Sequence, residues 1–403
     1  MTERSRSRNV AVVAGCMAAM FATAPGQTFV LSTFNESLTR SLDVSATRLA
    51  AAYLVGTLLS AACLTRVGRV ADGIGPRRMM MIASVGLALA GVALSSVAGI
   101  VTLTLAFFLL RVFGQGALSL SSSHALALRY EANLGAVEGL RGATISAAIA
   151  LVPQLSIVLI AARGWRSAAV LLAIGAGAIG LLAATLLVDR DPPRRVQADR
   201  DGAEEDGSFT LAEARRTGSL WILLAALATV AGILTAVHFH LQPILATAGM
   251  DETQAARTFV SFAVAGLGAT LAGGLLADRV RPSVLLALAM ALLAVGTVVL
   301  GLSRGELTAH AGMAMHGIAH GIASATFAPT IARYFGRAHH GAIRGLSGSV
   351  GVAGSAAGPW VASARADLVG GFGRALAVLA VGTALVAASC AFLRRPAHPG
   401  GAG

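Results

Sequence analysis

The sequence predicts an all-α integral membrane protein of twelve transmembrane helices, arranged as two pseudo-symmetric six-helix bundles. Three observations predict it. The first is composition: of 403 residues, 56% are hydrophobic and only 12% charged, and the mean hydropathy is +0.74. Water-soluble domains carry about 25% charged residues, and a single water-soluble core does not grow to this length. The second is a series of twelve apolar runs, each near the roughly 20 residues that cross a bilayer core. The third is an internal repeat. Gly135-Ala136-Val137-Glu138-Gly139-Leu140-Arg141-Gly142 returns as Gly341-Ala342-Ile343-Arg344-Gly345-Leu346-Ser347-Gly348, 206 residues on (341 minus 135). Pro153 returns as Pro359, and Gly68-Arg69-Val70-Ala71-Asp72 as Gly274-Leu275-Leu276-Ala277-Asp278, at the same offset. A repeat of half the chain indicates two homologous halves, as in many transporters.

The first run follows Arg4, Arg6 and Arg8; it is too long for a signal peptide and lacks a small-residue cleavage site, so it reads as an uncleaved helix. The spans fall at about 10–34, 49–65, 79–99, 102–127, 142–162 and 167–188, then 219–248, 258–277, 283–303, 307–332, 345–364 and 375–393. Residues 1–188 form the first bundle and 219–403 the second. Between them, 189–218 mixes charges around Pro192-Pro193 and reads as a flexible linker. Its end, from Ser208 to Arg216, reads as a short amphipathic helix with a Ser cap, a solvated lead-in to Trp221 and the seventh span.

The net charge of +12 and pI near 11.3 raise the question of nucleic acid. The placement of the charge answers it. All 31 basic residues are arginine, and they sit mostly in short loops between apolar runs rather than on one exposed face. With the N-terminus inside, 22 arginines fall on the inner side and 8 on the outer, Arg111 alone lying within a span. This asymmetry places both termini and the central loop in the cytoplasm of a cell whose plasma membrane holds the protein, a bacterial inner membrane being the natural setting. Cys16, Cys63 and Cys390 are odd in number and far apart, which gives neither a disulfide framework nor a metal site. No Walker sequence or HExxH is present, so no enzyme chemistry and no cofactor is indicated.

The loop after the second span, Gly68-Arg-Val-Ala-Asp72-Gly-Ile-Gly75-Pro-Arg77-Arg78, resembles the G-x-x-x-D-(R/K)-x-G-(R/K)-(R/K) signature of the major facilitator superfamily. Gly73 and Pro76 depart from it, and the second copy keeps only Gly274, Asp278 and Arg279 before Arg281 replaces the later glycine. The resemblance covers the whole chain. It implies a transporter that works by alternating access, probed at a gate formed by Gly68, Asp72, Gly75, Arg77, Arg78, Asp278 and Arg279. A second resemblance, carried by Leu110-Arg-Val-Phe-Gly-Gln-Gly116, Gly164-Trp165-Arg166, Tyr334-Phe335-Gly336-Arg337 and Gly358-Pro359-Trp360, is to the oxalate/formate and monocarboxylate branch. That branch often has a basic residue in helix 8 or 11, and spans 258–277 and 345–364 here have none.

All 19 carboxylates lie outside the span interiors. Arg111 and six histidines are the groups able to carry charge at depth, where an ionisable residue points to function by default. Arg111 fits two roles: pairing with an anionic substrate through its planar fork, or holding the fourth span to its neighbours through carbonyls. The lack of a partner carboxylate favours substrate. His316 and His320, spaced i, i+4, share one face of the tenth span. Repeat alignment of RVFGQG with HGIAHG sets His316 opposite Arg111 and His320 opposite Gln115. The superfamily lines its cavity with helices 1, 4, 7 and 10, so the resemblance implies a shared central space for these four. Histidine binds a proton near neutral pH, which suits proton coupling without carboxylates. His238 with Gln242 makes a polar face on the seventh span, while His240 points away from it. His124 reads as structural and His310 as solvated. Gln27 and Thr28 lie at depth beside the Pro25-Gly26 break, as ligands or as partners of carbonyls freed by the proline.

These residues predict a monomeric secondary transporter of a small organic anion such as a monocarboxylate, coupled to protons. The alternatives are efflux of neutral or drug-like compounds by the same fold, and a non-transporting membrane sensor.

Overall fold

The computed structural model describes residues 3–130, 134–187, 208–277, 279–336 and 340–397. The chain divides into two compact units, Met1–Ala198 and Asp199–Gly403. Among the described residues every regular element is helical. Nine helices among the described residues are long and apolar enough to cross a membrane, and one of these, Val137–Leu186, is 50 residues long.

The first unit opens with α1 (Glu3–Ala22), which stops where Pro25 enters a short turn, Ala24–Gly26. The span resumes irregularly as α2 (Thr28–Leu31) and α3 (Asn35–Leu42). Next, α4 (Ala46–Ile74) is opened by the Ser45 hydroxyl, which accepts from the Arg48 amide, and is closed by Gly75 at φ +85°. A left-handed backbone there needs glycine, and Pro76 then fits the first position of α5 (Pro76–Ser95). The fourth span is not uniform: α6 (Ile100–Leu110) passes into a π-helical stretch, Arg111–Leu118, before α7 (Ser119–Ala127). Finally α8 (Leu134–Leu186) covers the fifth and sixth spans, bent at Gly164 with φ +76°. The predicted break between 162 and 167 is therefore a single-residue corner rather than a loop.

The second unit begins with the docked end of the linker. Thr210, not the expected Ser208, caps α9 (Leu211–Arg215) in a reciprocal box with Glu213. Phe209 is 2% exposed, its amide donates to the Phe335 carbonyl at 2.9 Å, and its ring meets that of Phe335 edge-on at 5.6 Å. The segment is thus anchored by a buried aromatic pair and not a solvated lead-in. The seventh span is α10 (Gly218–Phe239) followed, after a change of direction at His240, by α11 (Leu241–Ala246). The remaining spans are α12 (Glu252–Leu276), α13 (Pro282–Gly301), α14 (Glu306–Phe335), α15 (His340–Val369) and α16 (Phe372–Cys390).

Each unit turns apolar stripes outward. On α5, Ile82, Val85, Leu89 and Val92 are exposed; on α12, Val264, Leu267, Leu271 and Leu275 are. Spacing by three and four residues puts each set on one helix face. Faces of this kind suit hydrocarbon and would aggregate in water. Inside each unit, small residues let the helices touch. A methyl on Gly26 would lie 2.3 Å from the Leu110 carbonyl oxygen, and one on Gly317 would lie 2.2 Å from the Phe262 carbonyl oxygen.

Candidate functional site

In the first unit the broken first span meets the π-helical stretch. Gly26 and Gly114 face each other so closely that a methyl on either would come within 2.9 Å of the other's Cα. This contact brings the freed carbonyl of Gly26 to Arg111. The Arg111 guanidinium is 3% exposed; its Nη1 donates to the Gly26 oxygen at 3.4 Å, its Cζ stands 5.3 Å from the centre of the Tyr53 ring, and its Nε has no partner among the described residues. No ion pair forms at Arg111 within the described residues. Tyr53 is in turn bound to Thr28, hydroxyl to hydroxyl at 2.7 Å. Gln27 and Gln115 are half-buried, one following each glycine of the pair. Gln27 donates to the Thr23 hydroxyl at 3.2 Å. The structure therefore gathers Arg111, Thr28, Gln27 and Gln115 around one glycine contact. Tyr53 escaped the sequence reading, since a single tyrosine in an alanine-rich run carries no spacing signal.

In the second unit the histidines divide. His316 is fully buried; its Nε2 lies 3.0 Å from the Thr297 hydroxyl. That hydroxyl gives its hydrogen to the Leu293 carbonyl at 2.7 Å, so Nε2 carries the proton and Nδ1 is left as an acceptor without a partner. His316 thus turns toward α13. His320, one turn on, lies over the Phe262 ring at 5.9 Å with its Nδ1 unpartnered. His238 meets the same Phe262 ring edge-on at 4.7 Å and Phe259 at 5.2 Å. Gln242 is 9% exposed and neither of its amide atoms has a partner among the described residues. His240 is bound to the Pro359 carbonyl at 2.9 Å and tilted over Phe372. His310, expected to be solvated, is half-buried with Nδ1 2.7 Å from the Ser261 hydroxyl. Arg111 and Gln115 belong to one unit and His238, His316 and His320 to the other.

At the gate residues, Gly75 makes the tight turn and Arg77 and Arg78 occupy the first turn of α5. Asp72 is exposed, with its carboxylate 3.8 Å from His124 Nε2 on α7. Gly68 is not a close helix contact: a methyl there would meet only Leu120 Cδ1, at 4.0 Å. Arg279 is exposed, and Asp278 lies outside the described residues. Among the described residues, cavities also lie elsewhere. One of about 320 Å³ sits among α10, α15 and α16 with an almost wholly apolar lining; one of about 510 Å³ lies near Asp43 and Arg48.

Two helical units that repeat in sequence, each turning apolar faces outward around a buried polar centre, define a polytopic membrane transporter. A model of the Major Facilitator Superfamily matches residues 16–359, and the chain belongs to that family. It is accordingly a membrane protein that moves a small molecule across the bilayer, and not an enzyme. Its fold is similar to the crystal structure of a bacterial homologue of the human lysosomal transporter Spinster. With the inward-facing, unoccupied form it shares 12% identity at a TM-score of 0.76, over 96% of each chain. With the inward-facing, occupied form it shares 14% identity at a TM-score of 0.73, over 98% of this chain and 97% of the other. No curated protein matches the sequence.

Proposed function

We propose that the chain carries a small organic anion, with monocarboxylates favoured, by alternating access coupled to protons. The observation that supports it is Arg111: a buried, permanently charged guanidinium with one long bond to a carbonyl, an aromatic face beneath it and an unpartnered Nε. A carboxylate placed against it would satisfy that Nε and neutralise the charge, as the planar fork does elsewhere. Gln27, Thr28 and Gln115 would complete the anion's hydrogen bonds. His320 and His238, each with an unpartnered nitrogen, supply the proton sites that a cavity without carboxylates needs. His316 contributes mainly by fixing α14 against α13.

Asp72, Gly75, Arg77 and Arg78, with Gly68 and the second copy at Asp278 and Arg279, would form the gate. The chain would act as a monomer in a bacterial inner membrane, and the arginine asymmetry supports placing both termini in the cytoplasm. Counterflow in proteoliposomes tests the substrate reading: carboxylate exchange should be lost on Arg111→Ala. Exchange that survives unchanged would sink the role of Arg111 and favour the rival reading, export of neutral drug-like compounds, which the aromatic lining at Phe259 and Phe262 supports.

A further inference from the structure

Buried polar atoms without partners are rare in folded proteins, and each calls for an explanation. Five of them lie in the second unit: His238 Nε2, both amide atoms of Gln242, His316 Nδ1 and His320 Nδ1. His238 and His320 share one ring, Phe262, which meets His238 at 4.7 Å and His320 at 5.9 Å. Gln242 follows His238 by one turn, past the change of direction at His240. The surroundings carry no fixed charge at depth. α10 and α11 contain no Asp, Glu or Arg, and those of α12 and α14 (Glu252, Arg257, Glu306, Arg333) lie toward the helix ends.

The chemistry of Gln242 narrows what can fill this place. Its amide leaves a donor and an acceptor side by side, both unsatisfied. A carboxylate only accepts and an ammonium only donates, so neither satisfies both atoms. A group that donates and accepts along one edge does: a primary amide, a lactam or a urea. The Phe259 and Phe262 rings beside His238 add flat apolar walls, which favour a planar group. The neutral histidine nitrogens can adapt as donor or acceptor to the flanks of the same group.

We propose that Gln242, together with His238 and His320 of the same unit, recognises a planar neutral group of the transported molecule whose edge both donates and accepts hydrogen bonds. This deepens the substrate reading above and rests on it only for the statement that a small molecule is carried.

The test uses the purified full chain in detergent, with benzamide and benzoate as probes and two apolar variants, Gln242→Met and Gln242→Leu. Benzamide is expected to bind the wild type, and its affinity to fall about tenfold in both variants, one well-made hydrogen-bonded edge being of that order. The ligand-free thermal midpoint should stay equal or rise, because the variants remove a buried amide that has no partner. Benzamide that does not bind the wild type, affinity unchanged by both variants, or a ligand-free midpoint lowered by several degrees in both would overturn the proposal, the last by revealing a structural amide. Failure of the anion reading looks different: benzoate binding would survive Arg111→Ala, and the benzamide comparison would stand untouched.

Discussion

The two units hold polar groups at depth by the same means and to different ends. In each, a glycine is pressed against a neighbouring backbone: Gly26 against Leu110 and Gly114 in the first, Gly317 and Gly321 against Phe262 and Gly266 in the second. In the first unit, one of the two helices is broken. The break at Ala24–Gly26 frees a carbonyl, and a fixed cation sits on it. In the second unit the contact is between α12 and α14, both continuous there, whose interior carbonyls are committed to their own helices. Such a contact has no spare carbonyl to offer a charge, and the groups beside it, His316 and His320, can be neutral. A broken helix can host a permanent charge in a bilayer; an intact pair hosts groups that discard theirs.

The sharpest way to break this comparison is at Arg111. Arg111→Ala should lower carboxylate counterflow by about 30-fold or more, since removing one partner of a buried charged contact costs about 2–5 kcal/mol. Arg111→Lys keeps the charge, loses the planar fork and should retain a measurable fraction. Equal loss in both would assign the effect to the fork and not the charge. Next come the glycines. Gly26→Ala and Gly317→Ala should each destabilise by about 1–3 kcal/mol through overpacking, read as a lower thermal midpoint in detergent. Only Gly26→Ala should also weaken the response of the midpoint to carboxylates, because it displaces the carbonyl under Arg111.

The histidines sharpen the comparison more finely. His320→Ala should flatten the pH dependence of flux at little cost in stability. His316→Ala should do the reverse, losing a buried hydrogen bond and packing at Gly296 while the pH profile keeps its shape. Identical pH profiles for wild type and His320→Ala would remove the proton role. The smallest effect belongs to Tyr53→Phe, which keeps the ring under Arg111 and removes the hydroxyl bond to Thr28. About 1 kcal/mol of stability is expected to go, and a larger loss than in Gly26→Ala would show that Tyr53, not the glycine contact, holds the site together.

How much of this the sequence reveals depends on whether the cause is local. Pro25 announces the break in the first span because its missing N–H and fixed φ, next to Gly26, weaken the helix locally. Pro153, Pro329 and Pro359, by contrast, lie inside helices that continue past them. Gly75-Pro76 announces the turn because the glycine takes the positive φ and the proline suits the first position of the next helix. The i, i+4 spacing of His316 and His320 is also local, but the partner of each is not. Thr297 lies 19 residues from His316 on another helix, and Phe262 lies 58 residues before His320 (320 minus 262). The histidines share a helix face by spacing, yet one ring turns to α13 and the other to α12. Phe209 shows the same limit. Its neighbours are polar and read as solvated, and only the meeting with Phe335 buries it.

The π-helical stretch from Arg111 to Leu118 has a consequence for the length of the chain itself. A π turn accommodates an extra residue without moving the helix ends apart. Each residue of an α-helix advances the side chains by about 100°. Deleting one residue between Val112 and Ala117 would let this stretch close into ordinary α-helix with the segments on either side still nearly in phase. Closing it to α-helix at full length would instead rotate everything beyond it by about that angle relative to Arg111. His124, which now stands 3.8 Å from Asp72, would swing off that carboxylate although both residues remain. The wide turn therefore acts as a phase setting between the centre of the first unit and its gate loop.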